Sequence, residues 1–204
     1  MNNEKKSSRL EAFSDGVIAV IITIMVLELH VPHENGFAGL WTVAPRLAIY
    51  LLSFVMVGIY WINHHELCRR VETVDYGILW ANLGWLFVLS LIPFFTDYAG
   101  EKHFDSFSTA LYAAIMLFTG ISFGVLRLAI VARQKRLHQF THTDQTELIK
   151  HGLSMLFYVA AIFMAYRHVW TSFLLNLAVT LIWIAPELGT RKCEPSESSH
   201  IHPR

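Results

Sequence analysis

Long uncharged apolar runs, separated by short polar stretches, dominate the pattern of this chain. Residues 17–27 carry no charge and a single hydroxyl, Thr23. Residues 76–95, 106–126 and 169–186 are also uncharged, each near the ~20 residues that cross about 30 Å of hydrocarbon. Residues 47–62 form another such stretch, extendable past Arg46, whose stem can lie along hydrocarbon while its head snorkels. Residues 152–166 are shorter and can be lengthened by His151. A soluble helical bundle would place a polar face on most of these segments, and they have none. The pattern predicts an all-α integral membrane protein with six transmembrane helices.

The polar positions set the expected ends. The first helix is expected from about Ser8 to His30, with Ser7 or Ser8 as N-cap, Glu11 completing a capping box, and Pro32 helping to stop it. An outer loop follows, with Pro45 suited to the first turn of the second helix. That helix ends in YWINHHELCRR, where Asn63, His64, His65 and Glu66 crowd the inner membrane edge. The third is expected to end near Pro93, with FFTDYAGEKHFDSF turning outside. The fourth is expected to run to about Ala132, and the last two to meet in a tight turn near Arg167 and His168. The domain reading is a cytoplasmic N-terminus over 1–8, a six-helix unit over 9–188 and a polar, disordered tail over 189–204.

Composition and charge narrow this further. The chain has 204 residues, 54% hydrophobic and only 16% charged, against roughly 25% charged in soluble domains. With a formal net charge of +0, nothing favours a nucleic-acid partner. Thirteen of its sixteen lysines and arginines fall on one side when the N-terminus, second and fourth loops and tail are grouped, leaving Arg46, Lys102 and Arg167 opposite. That bias places both termini in the cytoplasm and requires an even number of spans. No small-residue cleavage site follows the first segment, so it is expected to be retained. Cys68 and Cys193 are too far apart in sequence to suggest a metal pair, and no disulfide framework is expected.

Several polar groups in the first helix need more than anchoring to explain them. Asp15 lies nearly two turns inward from Arg9 and about 240° around the helix, so the two are poorly placed to neutralise each other. At the depth of Asp15 the candidate partners are Asn63, His64, His65 and Asn82, and Ser14 can bond sideways or to its own backbone. Phe13, Gly16, Val20, Ile24 and Leu27 form a narrow stripe with Thr23 about 60° aside. In a lone chain this is a packing surface. Around a symmetry axis it becomes stacked apolar rings, which gate by excluding water when narrow. His64 and His65 diverge by about 100° and make no two-ligand metal face. No HExxH, G-x-G-x-x-G, Walker, G-x-S-x-G or TVGYG motif occurs. Glu28 is placed at an outer mouth or headgroup region, and His30 in the headgroup region.

The run RLEAFSDGVIAVIITIMVLEL, beginning at Arg9, together with YWINHHELCRRV and DYGILWANLGWLFVLSLIPFFTDY, resembles the prokaryotic TMEM175 family, single-repeat relatives of the lysosomal potassium channel. The resemblance implies a homotetramer whose first helices line a central pore. It implies apolar layers at Val20, Ile24 and Leu27, a pore threonine at Thr23, and a network fixing the pore helix through Arg9, Phe13, Ser14, Asp15, Asn63 and His64. Valine at position 20 departs from the isoleucine more usual there, which widens that layer or shifts the constriction toward Ile24 or Leu27. The implied activity is passive conduction of potassium, and of other monovalent cations, in the cell membrane. No catalysis, cofactor or structural metal is expected, and potassium is only transient in the pore. Glu28 near the outer mouth would concentrate cations through its field.

Three other classes compete. A proton-coupled cation transporter would use Asp15 and His64, but no inverted repeat or broken helix pair is visible. A haem or quinone oxidoreductase would draw on His64, His65, His151 and His168, of which only the first two sit clearly together. A membrane scaffold would carry no flux.

Overall fold

The computed structural model describes residues 2–32, 35–69, 71, 74–136 and 145–184, and the regular structure among them is helical throughout. In chain order the elements are α1 Asn2–Leu27, α2 Gly36–Arg69, α3 Tyr76–Leu89, α4 Ile92–Glu101, α5 Ser106–Arg136, α6 Gln145–Ala165 and α7 Val169–Ile184. The stretches Ser7–Leu27, Gly36–Arg69, Tyr76–Glu101, Ser106–Gln134 and Thr146–Ala165 are each long and apolar enough to cross a membrane. The chain is therefore an all-α, multi-pass membrane protein. Val169–Ile184 is also apolar but has 16 residues, about 24 Å of helix.

Several expected boundaries move. α1 begins at Asn2 rather than Ser8, so Ser7 and Ser8 lie inside the helix and cap nothing. Ser7 Oγ instead donates to the Cys68 carbonyl at 3.3 Å, and Glu11 meets His65 rather than closing a capping box. α1 stops at Leu27, short of His30. α2 begins at Gly36 and carries Pro45 in its interior, not in its first turn. Pro93 does not end a helix but sits at the start of α4, where its missing N–H costs nothing. Much of the expected outer loop is accordingly helical as far as Glu101. The real turn is confined to the residues before Ser106. His103 and Phe104 there adopt positive φ of 49° and 57°, and Phe104 is held by its N–H on the Ala99 carbonyl at 2.9 Å. Asp105 accepts the Ser108 N–H at 2.7 Å, and hydrogen bonds from Ser108, side chain first and backbone second, hold its carboxyl below the usual range. α5 continues past Ala132 to Arg136. The tight turn between α6 and α7 lies where the sequence puts it, between Ala165 and Val169. The tail over 189–204 lies outside the described residues.

Packing is organised around Trp85 of α3, which is fully buried. Its ring stacks on His64 with centroids 4.8 Å apart, meets Phe123 edge-on at 5.3 Å and approaches Tyr60 at 6.3 Å. One side chain thus joins α2, α3 and α5. Nearer the other end, Ser53 bonds both Thr96 at 2.8 Å and Tyr112 at 3.0 Å, satisfying three buried hydroxyls at once. Such satisfaction matters where no water can substitute. α5 and α6 approach closely at glycine: a Cβ on Gly124 would lie 2.8 Å from His151 Nε2. An ion pair between Arg127 and Glu147 adds a charged tie between the same helices. α1 packs against α2, α3 and α4, which leaves part of its circumference uncovered.

Candidate functional site

The two faces of α1 are sharply different. Leu10, Ser14, Ile18, Ile21 and Met25 are buried, at spacings of four, four, three and four that keep one face of a 3.6-residue helix inward. The opposite face carries Arg9, Phe13, Gly16, Val20, Thr23, Ile24 and Leu27, all exposed. Phe13 is 54% exposed, Val20 55%, Ile24 41% and Leu27 78%. Arg9 and Leu27 are eighteen positions apart, about five whole turns, so the same line runs the length of the helix. The stripe anticipated from periodicity is thus a surface that the chain's own packing leaves open.

Small residues lie beside the large ones on this face. Ala12, Gly16, Ala19 and Thr23 are all exposed, within about 60° of one another at 100° per residue. A Cβ on Gly16 would meet nothing within 4 Å, so no contact inside the chain calls for glycine there. Thr23 Oγ1 donates to the Val20 carbonyl at 2.9 Å. With its proton spent on the backbone, the hydroxyl oxygen offers only lone pairs outward.

Behind this face, the signature residues divide into separate groups. Ser14 Oγ donates to the Leu10 carbonyl at 2.9 Å and accepts from Asn82 Nδ2 at 2.9 Å. Asn82 Oδ1 lies 2.9 Å from His64 Nε2. Since the amide oxygen only accepts, His64 carries its proton on Nε2, an assignment that follows from the network. Ser14, Asn82 and His64 are fully buried, forming one continuous relay from α1 through α3 to α2. Asp15 stands apart from it: its carboxylate accepts from Trp61 Nε1 at 2.9 Å. Among the described residues neither His64 nor Asn63 is its hydrogen-bond partner: His64 Nε2 meets Asn82, and Asn63 donates to Ile59 of its own helix at 2.9 Å. His65 Nδ1 meets Glu11 Oε1 at 2.6 Å while its ring stacks on Trp61 at 6.3 Å. Asn82 and His65, expected among the partners of α1, therefore do hold it, while Trp61 and the Glu11 side of its pair with His65 were not anticipated. Arg9 and Phe13 reach no hydrogen-bonding or aromatic partner within the chain among the described residues. Glu28 lies just past the end of α1, exposed, beside a small cavity shared with Arg46 and Asp97.

The family model described as endosomal/lysosomal potassium channel TMEM175 matches residues 9–93, which hold most of α1 and all of α2 and α3. A potassium channel of Chryseobacterium sp. (strain P1-3) is 41% identical over 187 residues, 90% of this chain and 95% of the relative. A potassium channel of Streptomyces collinus is 36% identical over 129 residues, 59% of this chain and 63% of the relative. The crystal structure of a lysosomal potassium-selective channel TMEM175 homologue from Chamaesiphon minutus matches with a TM-score of 0.76 at 25% identity, covering 88% of this chain and 97% of that one.

Proposed function

The chain belongs to the TMEM175 potassium-channel family, and from that premise we propose that it conducts potassium passively through a path lined by the exposed face of α1. The observation that carries the reading is the opposition of faces on α1. One side is locked into the chain by Leu10, Ser14, Ile18, Ile21 and Met25, while Val20, Ile24 and Leu27 stand open with Thr23 beside them. One helix cannot enclose a path, so the face works in an assembly. Four chains around an axis stack Val20, Ile24 and Leu27 as apolar rings. Ala12, Gly16 and Ala19 let neighbouring first helices approach closely, as small residues do in membranes. Arg9 finds its partner across the subunit boundary, and Phe13 packs there.

Ions pass such rings by shedding part of their water, and narrow apolar layers discriminate by that cost. The lone pairs of Thr23 Oγ1 repay some of it. Glu28 at the outer mouth raises the local cation concentration. Both termini face the cytoplasm, in keeping with the lysine and arginine bias, and α7 completes six spans over residues 9–188. The transport is without catalysis. The carrier alternative gains no support from the geometry, because His64 is sealed between Asn82 and Trp85 while Asp15 bonds Trp61, so the two do not form a proton-handling pair.

Purified protein in planar bilayers is expected to carry potassium current in discrete steps. Native mass spectrometry of the same sample is expected to report four protomers. A smooth, saturating flux without steps would point to a carrier, and a conducting dimer would defeat the fourfold arrangement.

A further inference from the structure

His30 follows α1, and Asp97 and Glu101 stand one turn apart on α4, so that residues distant in sequence converge at one end of the bundle. One ligand atom from each of the three lies within 4.8 Å of the others. Positions i and i+4 of a helix share a face, which is why both α4 carboxyls point the same way. His30 Nδ1 lies 2.9 Å from the Glu28 carbonyl. A carbonyl only accepts, so the ring carries its proton on Nδ1 and leaves Nε2 as an open lone pair. A backbone carbonyl fixing the tautomer in this way is the usual outer-shell arrangement of a metal-binding histidine.

The charge balance points the same way. Three carboxylates, Glu28, Asp97 and Glu101, lie close together here with Arg46 and His30 beside them, and Arg46 is committed to Glu101 at 2.9 Å. Asp97 is half-buried and has no hydrogen-bond donor among the described residues. It borders a cavity of about 20 Å³ lined by Glu28, Arg46 and Thr96 among others, room for about one water.

We propose that His30, Asp97 and Glu101 form a divalent transition-metal site that ties the C-terminal end of α1 to α4. One imidazole and two carboxylates suit Zn²⁺ or Co²⁺, whereas Ca²⁺ and Mg²⁺ take oxygen ligands in larger number. A water from the adjoining cavity supplies a fourth ligand. Arg46 competes with the metal for Glu101. The site stands independently of the conduction reading, since binding is measured without current.

Isothermal titration of the purified full chain with Zn²⁺ tests it. The expected result is one saturable site per chain that Ca²⁺ does not occupy at the same concentration. His30→Ala and the nearly isosteric Asp97→Asn should each weaken it by at least about 10-fold, the smallest loss typical even of an outer-shell partner. Arg46→Gln should tighten it by releasing Glu101. Affinity unchanged in both ligand variants would place the metal elsewhere, and absence of saturation up to millimolar Zn²⁺ would leave no site; either overturns the proposal.

Discussion

Asn82→Leu should cost about 2–4 kcal/mol of stability and lower the melting temperature of the purified protein by roughly 5–15 °C. The amide is fully buried and is the middle link between Ser14 at 2.9 Å and His64 at 2.9 Å. Leucine fills similar volume but leaves the His64 Nε2–H without an acceptor and removes the donor from Ser14. Each stranded buried group costs about 1–3 kcal/mol, a large share of the roughly 5–15 kcal/mol that holds a domain together. Asn63→Leu is the matched control. Asn63 sits on the same helix as His64, but among the described residues its amide bonds only its own turn, so the change should cost about 1 kcal/mol or less. Thermal melts of both variants in detergent decide the matter. Equal losses would mean that the relay contributes nothing beyond an ordinary side chain.

Ile24→Asn and Leu27→Asn should each raise potassium flux several-fold and admit sodium more readily, with the oligomer intact. In the proposed assembly either change sets four amides around the axis, and water then wets a layer that apolar side chains kept dry. If these positions packed against another helix, the same amide would be a buried polar group without a partner and would weaken assembly instead. Leu156→Asn on α6 controls for a polar group on an exposed apolar surface, since Leu156 is 62% exposed and lies off α1. Cation flux into liposomes, measured in potassium and in sodium, should rise for the two α1 variants alone. A rise in all three would indicate general leakiness.

The faces of α1 illustrate what a sequence can and cannot convey. Periodicity identified the stripe through Val20, Ile24 and Leu27, because apolar spacing on a helix is a local property. Which face turns inward depends on α2, α3 and α4, and only their packing decides it. Ser14, His64 and Asn82 were legible as polar groups at one depth. Their pairing was not, since Asn63 and Asn82 look equivalent until one amide is seen bonding its own turn. Asp15 found Trp61 because an indole N–H is a donor that an interfacial tryptophan hides behind its apolar ring. Ser8 and Glu11 match a capping box in spacing, but α1 extends back to Asn2 and leaves neither at a helix start. Pro93 is ambiguous in the same way. A proline stops the helix before it but is equally at home opening the next, and the break falls at Ser90 and Leu91, where a single serine inside an uncharged run is a weak signal.

The central claim is that the exposed face of α1 lines a water-filled path for cations, and thiol modification under current tests it most directly. A cysteine at position 27 or 24 reacts with a small, charged methanethiosulfonate reagent only if water reaches it, since the thiolate is the reacting form. Of the two native cysteines, Cys68 is buried and Cys193 lies outside the described residues, so both substitutions are made on a Cys193→Ser background, which is also the baseline. With Leu27→Cys or Ile24→Cys added to that background in a bilayer, the reagent should reduce potassium current within the recording, and the Cys193→Ser protein alone should be unaffected. Current that stays constant in both variants, whether the cysteines are modified or remain unreacted, would contradict the account.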